Sequence, residues 1–193
     1  MSDWSQHPTL SGEHVRLEPL SPEHAQGLFE AAQDPGIWSW MSQRMPEDLA
    51  AAESMIETAR AEPGRLAWAQ IDVATGRVAG STSYYQMVAK HRILSIGFTW
   101  LGPRWQRTPI NTEAKFLLLR NAFEVLGAQR AAWETDSRNL RSQRALERLG
   151  ALREGLLRAH RVRPDGSSRD TVLYSMTDAE WPGARARLRA RLG

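Results

Sequence analysis

Cysteine is absent from this 193-residue chain. Disulfides, thiolate nucleophiles and cysteine-based metal sites are therefore excluded. Lysine is scarce: of 25 basic residues only Lys90 and Lys115 are lysines, and arginine carries the rest of the positive charge. The acids nearly balance it, leaving a net charge of +3 and no general electrostatic case for a nucleic-acid partner. No apolar run approaches the ~18 residues of a membrane span. The N-terminal stretch Asp3-Trp4-Ser5-Gln6-His7-Pro8 has no signal-peptide core, so the expected location is the cytoplasm, away from membranes. Linkers, repeats and low-complexity blocks are also missing, and the chain is expected to be one domain over 1–193, with a core from about 10 to 181 and a C-terminal helix over about 180–192.

Tryptophan, by contrast, is abundant at eight residues. Most lie in or beside predicted elements, where burial in the core is their ordinary role, although several together suggest a pocket with aromatic walls. By its pattern the chain is organised around Leu94 to Gly127. Leu94-Ser95-Ile96-Gly97-Phe98-Thr99-Trp100 alternates strictly, which predicts a strand with Leu94, Ile96, Phe98 and Trp100 on one face and Ser95, Gly97 and Thr99 on the other. The second face is stripped to small residues, as suits a strand whose backbone is closely approached. A turn at Gly102-Pro103 follows, then a helix with Ala114, Leu117, Leu118, Ala122, Phe123 and Leu126 at the spacing of an apolar stripe, closed by Gly127. A strand–turn–helix unit exposes free N–H groups and the positive end of the dipole, which makes a weak signal for an anion.

Around this unit the pattern predicts strands over His14–Leu20, Leu66–Val73 and Arg77–Met87, the last two a hairpin across Ala74-Thr75-Gly76. Helices are predicted from Ser21 to about Gln33 and from Pro46 to Pro63, with the aromatic segment Ile37–Met41 between them. Beyond Gly127 come a strand over Arg130–Asp136, a helix over Leu140–Leu149 closed by Gly150, and strands over Ala151–Val162 and Asp170–Met176 joined across Arg163-Pro164-Asp165-Gly166. The final helix, Glu180–Leu192, carries Arg185, Arg187, Arg189 and Arg191; the i, i+4 pair Leu188 and Leu192 favours an amphipathic surface helix over an RNA-binding arm.

Four landmarks in order carry a resemblance: Trp105-Gln106-Arg107-Thr108-Pro109-Ile110-Asn111-Thr112-Glu113-Ala114; Asp136-Ser137-Arg138-Asn139-Leu140-Arg141-Ser142; Glu147-Arg148-Leu149-Gly150-Ala151; and Glu154-Gly155-Leu156-Leu157-Arg158. Together they resemble the GNAT acetyltransferases, and within them the branch related to ribosomal-protein N-terminal acetyltransferases. The resemblance implies an α+β fold, an α/β/α sandwich whose mixed, mostly antiparallel sheet splays between the fourth and fifth strands, here the Leu94 and Arg130 strands. It implies acetyl-CoA as co-substrate, an amine acceptor, and no metal. Phe98, Trp100 and Leu101 would hold the pantetheine arm through their backbone. Gln106, Arg107, Thr108, Ile110, Asn111 and Thr112 would cradle the pyrophosphate, with Asn139, Ser142 and Arg144 contributing from the next helix.

The departures from the family pattern bear on affinity. Pro109 and Asn111 stand where the family has glycine and glycine or alanine. Proline has no N–H and cannot take a positive φ, so one phosphate donor is expected to be missing. A hydrogen bond to a charged partner is worth roughly 1.5–3 kcal/mol, and Arg107, Arg141 and Arg144 are the candidates to replace it.

For catalysis, the superfamily's tyrosine acid falls at Leu146, and Ser142 matches the serine of this branch, expected to hydrogen-bond the CoA sulfur. The base stays open among Glu134 and Asp136, which share one strand face, and His160. The strand glutamate common in the superfamily corresponds to Ser95. On the acceptor side the expected residues are Trp38, Trp40, Tyr84 and Ser95. With no evident strong base, a protein or peptide N-terminus (α-amine pKa ~7.7–8.0) is favoured over a lysine (~10.4). A small-molecule amine, such as an antibiotic or polyamine, and a non-catalytic CoA-binding module are the alternatives. A homodimer is left open.

Overall fold

The structure, a computed structural model, describes residues 3–163 and 165–193. Pro164, within the predicted Arg163–Gly166 connection, lies outside the described residues, as do Met1 and Ser2. In chain order the elements are β1 (Leu10–Ser11), β2 (Val15–Pro19), α1 (Ala25–Ala31), α2 (Pro35–Trp38), α3 (Leu49–Ala61), β3 (Leu66–Asp72), β4 (Val78–Val88), β5 (Ile93–Leu101), α4 (Ile110–Arg120), β6 (Arg130–Asp136), α5 (Leu140–Leu149), β7 (Leu152–Val162), β8 (Ser168–Thr177) and α6 (Trp181–Leu192). The strands form one sheet in the order β1-β2-β3-β4-β5-β6-β8-β7. Every neighbouring pair is antiparallel except β5 and β6, which run parallel. The α+β class and the mostly antiparallel sheet are therefore as the sequence predicts. Because β1 is a two-residue strand that the pattern does not reveal, the predicted fourth and fifth strands are β5 and β6.

Alternate residues of β4 separate the helical layers. Thr82 and Tyr84 bond to Lys115 and the Leu118 carbonyl on α4, whereas Ser81 shares a small void with Leu28 of α1 and Ile56 and Ala59 of α3. The predicted helices form with shifted boundaries, and the acids expected in the first turn of α3 precede it. Asp48 caps α3 by accepting from the Ala51 N–H at 2.7 Å, so the helix starts after Pro46. Past Arg120, α4 widens into a π-helical turn over Asn121–Val125, and Gly127 follows at φ +67°, the left-handed position of a C-cap glycine. The arginine-rich α6 is docked: Trp181, Ala184 and Leu188 are buried, and the Trp181 ring packs against Phe116 and Phe123 at 6.0 and 5.6 Å.

The N-terminal segment closes the core over Trp68. The Trp68 Nε1–H donates to the Pro8 carbonyl at 2.9 Å, and the His7 ring meets the indole edge-on at 4.4 Å. Burial pushes His7 down to about 4. Between that value and its unfolded ~6.5, the unfolded chain binds the proton and the folded chain does not, so stability is lost as pH falls through this window. The expected loss is about 2 kcal/mol. Urea unfolding midpoints measured from pH 7 to pH 4 check it: His7→Phe removes this part of the slope.

Candidate active site

The two parallel strands stay together for only three residue pairs, Ile93↔Arg130, Leu94↔Ala131 and Ser95↔Ala132. Beyond Ser95 they part, and a cleft of about 560 Å³ opens between Ile96–Leu101 on one side and Trp133–Asp136 on the other. Its far end is walled by the Gln106–Thr108 turn, the start of α4 and the first turns of α5.

A β-bulge shapes the β5 wall and corrects the strict alternation predicted for it. The pairing with β4 shifts between Ser81↔Trp100 and Ser83↔Gly97, and Phe98 takes φ +50°. One residue at positive φ reverses the side-chain parity beyond it, because the strand period is two. Leu94 and Ile96 stay buried on the α4 side as predicted, but Phe98 and Trp100 do not join them. Phe98 packs against Tyr85 at 5.3 Å with the Arg65 guanidinium 3.7 Å over its ring, and Trp100 packs against Trp38 at 5.3 Å. Thr99 turns instead toward α4, where its hydroxyl meets Lys115 Nζ at 2.6 Å and Thr82 Oγ1 at 2.8 Å.

The next turn meets the conformational half of the concern over proline, while the missing N–H stays missing. The residue at positive φ is Arg107 (φ +64°), whereas Pro109 sits at φ −60° and heads α4, its carbonyl accepting the Glu113 N–H at 2.9 Å. At a helix start the missing N–H forfeits no intrahelical bond, and the fixed φ already suits the helix. Gln106 braces the turn from both sides. Its Nε2 donates to the Leu101 carbonyl at 3.0 Å, and its Oε1 accepts from Arg141 at 3.0 Å. Arg107, Thr108, Asn111, Thr112 and Arg141 all line the cleft, but Ile110 is buried in the core and Arg144 is not part of the lining.

On the opposite wall, Asn139 caps α5 by accepting the Ser142 N–H at 3.0 Å, and Ser142 itself lines the cleft one turn before Leu146. The first turn of α4 thus faces a capped helix whose own first turn is polar, and together they give the cleft its donor-rich end.

A model of the family described as acetyltransferase (GNAT) domain matches residues 14–152. The chain belongs to the GNAT acetyltransferase family. GNAT enzymes are acyltransferases that use acetyl-CoA, and the parted strands with a polar turn at their end fit that co-substrate. YdaF of Bacillus subtilis, provisionally described as a ribosomal N-acetyltransferase, is 27% identical over 178 residues, covering 90% of this chain and 96% of its own. A GCN5-related N-acetyltransferase from Brucella melitensis superposes at TM-score 0.95 with 34% identity, over 100% of this chain and 88% of that one. Mycobacterium smegmatis RimJ, solved in complex with CoA-disulfide, shares the fold at TM-score 0.82 and 21% identity, over 99% and 97% of the two chains.

Within this GNAT chain the remaining predicted residues divide. Glu134 and Asp136 both line the cleft, in different states. Asp136 is committed to structure: Arg163 donates to it at 2.7 and 3.1 Å, the Arg138 N–H at 2.9 Å, and Arg169 lies at 3.9 Å. Burial alone would raise its pKa, but these hydrogen bonds and neighbouring guanidinium charges outweigh it and hold the carboxyl below the usual range. Glu134 has one ion pair, to Arg161 at 2.8 Å, whose guanidinium side is half-exposed. His160 is exposed on the edge strand β7, away from the cleft.

On the acceptor side only Trp40 of the four predicted residues lines the cleft, and it is 40% exposed. Trp38 is core, its Nε1–H donating to the Ala32 carbonyl at 2.9 Å. Tyr84 is fully buried with its hydroxyl on the Leu118 carbonyl, and burial pushes the phenol up. Ser95 is buried and donates to Gln86 at 3.0 Å. Sequence reasoning did not single out Lys115, Arg169 or Arg148, all in the cleft lining. For Lys115 a signal existed: it stands on the apolar-stripe side of α4, one residue after Ala114. Among the described residues no cluster of His, Asp or Glu has the makings of a metal site, and no helix is long and apolar enough to cross a membrane.

Proposed function

We propose that this chain is a cytoplasmic N-acetyltransferase that moves an acetyl group from acetyl-CoA to the N-terminal α-amine of a protein or peptide, by direct attack with both substrates bound. The observation that carries this reading is the parting of β5 from β6, which frees the backbone of Phe98–Leu101 beside a donor-rich turn. When bound, acetyl-CoA would supply an acyl group activated as a thioester. The free edge of β5 would hold the pantetheine arm by strand-like hydrogen bonds. The N–H groups from Arg107 to Thr112, except at Pro109, would meet the pyrophosphate with the Arg107 and Arg141 guanidinium groups. The Asn139 cap fixes the first turn of α5, and with it Ser142, whose hydroxyl would hydrogen-bond the leaving sulfur. Glu134 would take the amine's proton through water, and Trp40 would bound the acceptor.

The likeness to ribosomal N-acetyltransferase relatives supports a protein acceptor, and the proton balance supports its N-terminus. At pH 7 roughly a tenth of an α-amine of pKa ~7.7–8.0 is already neutral. Deprotonating a lysine costs about 4.6 kcal/mol, and the one acceptor assigned, Glu134, is a carboxylate that would reach the amine only through water. In a competition assay monitored by mass spectrometry, peptides with free N-termini are expected to be acetylated at least about tenfold faster than N-terminally blocked peptides with an internal lysine. The reverse order would overturn the acceptor assignment.

A further inference from the structure

Lys115 is the unusual group in this cleft. It is one of only two lysines, it is 5% exposed, and it sits in the middle of α4 facing the sheet. Long ammonium side chains seldom lie this deep without a carboxylate, because desolvating the charge costs more than neutral partners return. Among the described residues its nitrogen bonds two hydroxyls, Thr99 Oγ1 at 2.6 Å and Thr82 Oγ1 at 3.2 Å. Among the described residues no carboxylate pairs with it: Glu134 and Asp136 of β6 also line the cleft, but they pair with Arg161 and Arg163. β4 presents Thr82 and the neutral phenol of Tyr84, β5 presents Thr99 and Ile96, and β6 presents Trp133 and Thr135. Glu113, two residues earlier on α4, spends its carboxylate on the N–H groups of Glu13, His14 and Val15. Burial alone pushes the Lys115 amine down to about 7.

An ammonium has three donors, and two are taken. Lys115 lines the cleft, and its partner Thr99 belongs to the stretch of β5 that has left β6. The bulge at Phe98 is what turns Thr99 toward α4, so the lysine and the bulge form one device. We propose that Lys115 is a cofactor-positioning residue, pinning the bulged segment of β5 through Thr99 and donating its third N–H to a carbonyl oxygen on the acylated arm of acetyl-CoA. This rests on the cleft's being the acetyl-CoA site. It explains why a lysine occupies a place that methionine would fill without desolvation cost. Loading the cleft then completes the ammonium's hydrogen bonds, and cofactor binding and protonation of Lys115 favour one another.

Lys115→Met tests the idea without stranding its partners, since the Thr82 and Thr99 hydroxyls bond each other at 2.8 Å. Calorimetric titration with acetyl-CoA is expected to show about ten- to hundredfold weaker binding by the variant, the worth of a hydrogen bond from a charged donor. The free protein's melting temperature is expected to be unchanged or higher. Repeating the titration with CoA, which lacks the acyl group, identifies the carbonyl: a loss confined to acetyl-CoA places it on the thioester, and an equal loss places it on the pantetheine amides. Titrations at pH 8 in two buffers of different ionisation enthalpy should show proton uptake on binding by the wild type and none by Lys115→Met. If that variant does not fold, Lys115→Arg replaces it, since a permanent cation should bind without uptake. Equal affinity of wild type and Lys115→Met, or uptake that persists in either variant, overturns the proposal. A wild type that binds neither acetyl-CoA nor CoA overturns the functional reading instead.

Discussion

Glu113→Ala is expected to lower the stability of the protein by about 3–5 kcal/mol, the largest effect of any single side chain considered. The carboxylate is 5% exposed and accepts three backbone N–H groups, those of Glu13 at 2.8 Å and of His14 and Val15 at 2.7 Å each. These are the donors of the turn joining β1 to β2, so the side chain bolts that turn to the first turn of α4. Truncation removes three charge-assisted bonds together and leaves their donors facing a void, and it is the stranded donors that make the loss large. Gly12 packs so closely that a Cβ there would come within 2.3 Å of the Glu113 carboxyl carbon, so the turn is shaped around this carboxylate. Glu113→Gln keeps one oxygen but places an amide donor against a backbone donor, and about half the loss is expected. Urea unfolding followed by tryptophan fluorescence measures both. An alanine variant within about 1 kcal/mol of wild type would show that the turn finds other partners.

Glu134→Gln is expected to reduce kcat by about a hundredfold while leaving the fold intact, the typical worth of a positioned proton acceptor. Asp136→Asn is expected to do the opposite. Its carboxylate holds Arg163, the Arg138 N–H and the field of Arg169, so the neutral variant loses stability, by about 2–3 kcal/mol, more than it loses chemistry. The two residues lie two apart on one strand, which makes the contrast internally controlled. Steady-state rates with saturating acetyl-CoA, read beside thermal melts of the same samples, separate the outcomes. Equal kcat for Glu134→Gln and wild type removes this residue from proton transfer and leaves the amine to lose its proton to solvent.

The comparison of sequence and structure turns on which signals are periodic. Strand and helix order and the C-caps at Gly127 and Gly150 were legible because each rests on a repeat or on one residue with a specific local role. The place where the sheet parts was legible only through the resemblance, since nothing in Ile93–Leu101 or Arg130–Asp136 records which strand lies beside which. The bulge at Phe98 was hidden: a non-glycine residue at positive φ leaves no composition mark, and its strand alternates without a break. That miss carried two others with it, the faces of Trp100 and Thr99 and the partner of Lys115. The backbone conformation at Pro109 was hidden for a related reason. The positive φ expected at the family's glycine is met at Arg107, a residue type with no preference for it.

The bulge also constrains how this chain tolerates insertion and deletion. Removing Phe98 would restore the simple pleat with Thr99 still opposite Thr82 and Trp100 still against Trp38, because the bulge sets two residues of β5 against one of β4. Adding one regular residue there would instead turn Thr99 away from Lys115 and Trp100 away from Trp38. The stretch from Ser95 to Leu101 thus keeps its faces through the loss of Phe98 but not through a gain, an asymmetry that a surface turn such as Ala74–Gly76 does not share.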